Sequence, residues 1–237
     1  MSHTPPPPLP VFTFQDWSSW QALLNQSAGM SFEMQQNLGD IIGDQDWQID
    51  LPAARLTFGG QLNFPIQILG SLSFQDHTWM WGWANSQSNI PEPLLTQANT
   101  LRELGEKHRI PEMTTGHFEV PEGFEYQAGT IGRGVFQADG YYCANYGTGT
   151  LVATIKSDLI PKIDPEAIER VITLFPQLIS GLPLDHRAAF LHYATARGLE
   201  TIEEDTIILA TRGIQEVVAT FNEQGILQGI EGKLAKS

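Results

Sequence analysis

The chain has 237 residues, 41% hydrophobic and 17% charged, which suits one large or two small cored domains and excludes a disordered chain. Its formal net charge of −14 repels nucleic-acid backbones and anionic membranes, so neither is an expected partner. Cys143 is the only cysteine, which rules out an internal disulfide and a multi-thiolate zinc site; with no basic-then-apolar leader and no apolar run of bilayer length, the expected compartment is the cytoplasm.

Residues 1–12 begin MSHTPPPPLP, and Pro5 to Pro8 favour an extended polyproline tail without a core to pack on. Asp16 is a candidate helix cap. Trp17, Trp20, Leu24, Ala28, Met34 and Leu38 then recur at helical spacing, predicting one helix over 16–38 that Gly29 weakens. Alternation over 46–51 and 55–58 predicts two short strands. Asp40, Asp44, Asp46 and Asp50 miss the calcium-loop pattern, since Gln48 stands at a ligand position, and read as a solvated edge.

Residues 66–85, IQILGSLSFQDHTWMWGWAN, hold three of the six tryptophans and the longest period-2 alternation. Two strands, 66–74 and 78–85, joined at Asp76-His77, would pair Phe74 with Trp79, Leu72 with Trp81, Gly70 with Trp83 and Ile68 with Asn85 on one face. Large aromatics at strand spacing serve burial first. The functional alternative is an aromatic wall, Trp79, Trp81, Trp83 and Asn85, able to orient a planar or sugar-like ligand. The string TWMWGWAN, after LGSLSFQDH, resembles the W-x-W-x-W-A-N signature of an uncharacterised bacterial family, domain of unknown function 6882, and GYYCANYGTGTLVATI resembles its second block. The resemblance covers roughly 16–156 and implies a fold rather than an activity.

Ile90-Pro91-Glu92-Pro93 opens a helix to about His108, closed by Pro111. Residues 112–122 read as loop or short extended chain. Ala128, Ile131, Gly132, Val135 and Phe136 have helical spacing, but Gly129, Gly132 and Gly134 argue against a helix. The string GTIGRG lacks the order and the βαβ context of a dinucleotide loop. A hairpin follows over 141–146 and 150–156. After a boundary at Ile160-Pro161, Asp164 and Asp185 are candidate caps of two helices, the first disturbed by Pro176; a strand over 206–211 and a hairpin over 217–230 complete the chain.

The expected fold is therefore α+β: an antiparallel meander packed by helices on one face, with a C-terminal helix-helix-strand-hairpin extension. The expected division is a tail (1–12), a domain (13–157) and a small lobe (158–237) that is either separate or completes the first sheet. No zincin, Walker, nucleophile-elbow or C-x-x-C motif occurs. His186 and His192 lie on different helix faces, His77 sits in a turn, and Cys143 has no evident base. These features point to a non-catalytic binding or interaction protein with a protein partner and no cofactor or metal. The alternative is a small-molecule-binding protein or enzyme with a pocket beside Trp79, Trp81 and Trp83.

Overall fold

A computed structural model describes residues 8–233; the proline run Pro5 to Pro7 lies outside them. Two antiparallel sheets share one long helix. That helix, α1 (Trp20–Ile42), starts later than the aromatic spacing suggests. Ser19 is its cap, accepting from the Ala22 N–H at 3.1 Å, while Asp16 accepts from the Ser18 N–H and turns the chain beforehand. Gly29 does not mark a weak point. A Cβ there would fall 2.2 Å from Tyr193 Cγ, so the glycine is what lets a later helix press against α1.

The first sheet has seven strands: β1 (Trp47–Asp50), β2 (Arg55–Phe58), β3 (Leu62–Ser73), β4 (Thr78–Trp81), β5 (His117–Glu119), β6 (Gly140–Asn145) and β7 (Gly149–Ile155). The predicted four-stranded meander forms as β1-β2-β3-β4, with β5 added beyond β4; β7 pairs with β3, and β6 with β7. The central hairpin differs from expectation in three ways. Its register is Leu72 with Trp79 and Gly70 with Trp81, two residues from the predicted pairing, because residues 74–77 form a four-residue loop with His77 at φ 50°. A slip of two leaves every side chain on its face. Second, Leu69 is an extra residue: β7 matches Ile68 to Ala153 and then Gly70 to Val152. This bulge reverses the side-chain alternation, so Ile66 and Ile68 do not share the face of Leu72. Third, β4 stops at Trp81, and Gly82–Ala84 is a 3₁₀ turn that carries Trp83 off the strand.

Helices α2 (Thr96–His108) and α4 (Phe124–Phe136) cover the Leu72 and Val152 face, with a single turn α3 (Pro111–Thr114) between them. The Thr154 hydroxyl there meets Gln97 of α2. The glycines that argue against α4 are the places where its neighbours touch it: a Cβ at Gly129 would lie 2.2 Å from the Tyr141 ring, and one at Gly132 2.4 Å from Leu69. Helical hydrogen bonding and close packing outweigh the weak propensity. On the opposite face the β1-β2 ribbon curls over, bringing Phe58 to 4.9 Å from Tyr142.

The C-terminal strands do not complete the first sheet. After α5 (Glu169–Gly181) and α6 (His186–Ala196), β8 (Glu200–Glu203), β9 (Ile207–Arg212), β10 (Gln215–Phe221) and β11 (Leu227–Lys233) form their own sheet in the order β11-β10-β9-β8. Strand β8, with two glutamates in four residues, carries no alternation signal of its own. Asp185 caps α6 as predicted, accepting from Ala188 N–H. Asp164 does not cap α5. The carbonyls of Asp164 and Ala167 accept from Arg197 and that of Pro165 from Arg212, which holds 164–168 in turns and delays the helix. Pro176 does not stop α5, which runs through it to Gly181.

Core residues of both sheets meet on α1: Met30, Met34 and Leu38 belong to one cluster with Phe175, Phe190 and Val217. The buried Glu33 carboxylate fastens the junction. It receives the Tyr193 hydroxyl at 2.7 Å and faces Arg170 at 3.1 Å and Arg197 at 3.5 Å.

Candidate functional site

The residues of the tryptophan hairpin divide sharply. Trp79 and Trp81 are fully buried, packed edge-to-face at 5.2 Å. Trp79 also meets Phe124, which stacks on Trp20 at 5.1 Å. The Trp81 Nε1–H donates to the Glu112 carbonyl at 2.8 Å. Gly70 makes room for this cluster, since a Cβ there would stand 2.5 Å from the Trp79 ring. Trp83 and Asn85 are only partly buried. The Arg102 guanidinium lies 4.6 Å above the Trp83 ring, the indole N–H is buried without an acceptor, and Asn85 Oδ1 accepts from the Ser88 N–H. A ligand approaching this hairpin would meet Trp83 and Asn85, with Trp79 and Trp81 behind them.

The nucleophile and base candidates are placed as follows. The Cys143 thiol points toward the Glu125 carbonyl, and burial pushes its pKa up, far from thiolate at neutral pH. Burial likewise raises the Glu125 carboxyl, one oxygen of which has no partner. His77 is exposed in its turn, and His186 Nδ1 accepts the Leu227 N–H, a contact that holds α6 to β11. Burial lowers the His192 pKa, with Asp16 pulling the other way. Among the described residues no three His, Cys, Asp or Glu side chains are placed to hold a metal ion. No described helix is long and apolar enough to cross a membrane.

A family model matches residues 21–158, from α1 to just beyond β7. The chain belongs to this family of unknown function, DUF6882. No curated protein and no solved structure matches it. The match includes the whole hairpin and leaves α5, α6 and the second sheet outside the DUF6882 span.

That second sheet has one buried and one open face. Ile208, Ala210, Val217, Ala219 and Phe221 point inward and are buried. Alternation sends their neighbours outward, and the register aligns Ile202, Leu209, Val218 and Glu231 in one row across all four strands. Ile202 is 57% exposed and Leu209 and Val218 are half-buried. A parallel row holds Glu200, Thr211, Glu216 and Lys233. Sequence inspection misses this surface because the row is assembled from four separate strands, one of which it does not detect. The local signal lies in the alternation of 206–211 and 217–221, whose outward positions include Ile207, Leu209 and Val218.

Proposed function

We propose that this chain is a bacterial, cytoplasmic binding protein, without catalysis of its own, that recognises a protein partner through the outward face of β8–β11. The observation that carries the proposal is the Ile202–Leu209–Val218 row, an apolar strip on the outward sheet face with Ile207 beside it, bordered by Glu200, Glu216 and Glu231. A strip of this kind, rimmed by charge, has the anatomy of a recognition surface. With an overall charge of −14, the complementary partner presents an apolar ridge flanked by basic residues. We take TWMWGWAN as the mark of the family domain, whereas the proposed contact surface lies beyond the family span.

A second reading places a small planar ligand at Trp83 and Asn85, with Trp79 and Trp81 as the wall behind. It is favoured by the unpartnered Trp83 indole N–H within a partly buried ring. One experiment separates the two. The tagged full chain is used to capture partners from host extract, as wild type, as the double variant Leu209→Lys/Val218→Lys and as Trp83→Ala/Asn85→Ala. The proposal expects a protein retained by wild type and the tryptophan variant and lost by the lysine variant, with circular dichroism unchanged in all three. Loss with the tryptophan variant alone overturns the proposal and moves the contact to the Trp83–Asn85 edge.

A further inference from the structure

In a chain with an excess of acids, three cations gather at one point where the two sheets meet. Arg133 lies in the last turn of α4, and Lys156 and Lys162 follow β7. Between them is Asp139, 4% exposed. A recess of about 330 Å³ opens beside Arg133, Lys162 and Asp139, walled by Leu9, Met30, Met34 and Ile163.

The hydrogen bonds here are unevenly shared. Asp139 is well supplied: it accepts from Lys162 Nζ at 2.6 Å, Lys156 Nζ at 3.4 Å and the Ser157 N–H at 2.9 Å. Among the described residues Arg133 makes no side-chain hydrogen bond and no ion pair, and its Nε is buried without an acceptor. Burial lowers the guanidinium pKa to about 10, against the pull of Asp139. Arg133 is half-buried, so holding its guanidinium without a carboxylate of its own carries a desolvation cost, and Asp139 bonds to its two lysines instead. An incoming anion would remove that cost. The guanidinium fork suits a planar carboxylate held by two parallel bonds. The aspartate beside it limits the site to a single added negative charge, and the methionine, leucine and isoleucine walls suit a hydrocarbon tail.

We propose that this recess binds a small organic monoanion, a carboxylate with an apolar tail, its head on Arg133 and Lys162 and its tail along Met30, Met34, Leu9 and Ile163. The inference is independent of the outward sheet face. Lys162 has a double role: it faces the carboxylate and keeps Asp139 from competing for Arg133.

The test is calorimetric titration and thermal unfolding of the full chain with sodium octanoate, octan-1-ol and sodium phosphate. Octanoate is expected to bind and to raise the Tm, with the other two at least roughly tenfold weaker, since each lacks either the head or the tail. Arg133→Met should weaken octanoate roughly tenfold or more while leaving the Tm without ligand unchanged or higher, because it removes a half-buried charge that has no ion-pair partner among the described residues. Lys162 is more than half exposed, so Lys162→Met tests the site even if Arg133→Met fails to fold; it should weaken octanoate several-fold. Absence of octanoate binding at millimolar concentration overturns the proposal. So does octanol or phosphate binding as well as octanoate, or octanoate binding unchanged in Arg133→Met or Lys162→Met.

Discussion

Gly29 is the residue at which propensity and packing disagree most plainly. Alanine is the better helix former by about 1 kcal/mol, yet a Cβ at position 29 would sit 2.2 Å from Tyr193 Cγ and 2.4 Å from its Cβ, the rigid base of a buried ring. Gly29→Ala should therefore destabilise the chain by roughly 1–3 kcal/mol in urea unfolding, the range for an overpacked core. A gain in stability would show that α6 can retreat freely. The same competition explains why α4 forms despite its glycines, and why it was not legible: the partners of Gly129 and Gly132, Tyr141 and Leu69, come from other elements. Asp139 gives a pH prediction at this scale. Burial alone would raise its carboxyl, but Lys162, the Ser157 N–H and Lys156 together hold it below the ordinary value near 3.8. A depressed folded-state pKa contributes stability that is fully present above the unfolded value and lost as pH falls through the folded one. Asp139→Asn should cost about 1 kcal/mol at pH 7, discounted because both lysines are more than half exposed, and should flatten the decline of stability below pH 3.8 in acid titration.

At the scale of elements, what could be read was what local chemistry decides. The meander, the 141–146 and 150–156 hairpin, and the Asp185 cap all depend on alternation, turn residues or a single side-chain bond. What could not be read depends on a neighbour. The Leu69 bulge follows from pairing with β7, 80 or more residues away, and it turns a uniform alternation into two faces. The aromatic spacing sets the start of α1 at Asp16, three residues before Ser19, the residue that caps it. Only Ser19 bonds into the helix, so Ser19→Ala should cost about 1 kcal/mol of stability, whereas Asp16→Ala should cost a few tenths at most. Thermal unfolding of the two variants distinguishes them; equal losses would move the helix start back to Asp16.

For the whole molecule, α1 is the member that makes two sheets one body. Its inner residues are common to both cores, and Glu33 joins it to α5 and α6 through Arg170, Tyr193 and Arg197. Burial pushes the Glu33 carboxyl up, and Arg197, Tyr193 and Arg170 pull it back. No sequence motif announces this junction, because its members lie up to 164 positions apart and its three charged residues look like ordinary surface charges. The same holds for the candidate surfaces. Tryptophans draw attention in a sequence, but here two of the three hairpin indoles serve the core, while the open strip is made of common aliphatic residues. The account rests on that exchange of roles, and acrylamide quenching of tryptophan fluorescence tests it most directly. In the variant Trp17→Phe/Trp47→Phe/Trp83→Phe, only Trp20, Trp79 and Trp81 remain, all buried. The account predicts blue-shifted emission that acrylamide barely quenches in the folded state and quenches fully in urea. Ready quenching of the folded variant would place Trp79 or Trp81 at solvent and return the hairpin to first place as the binding site.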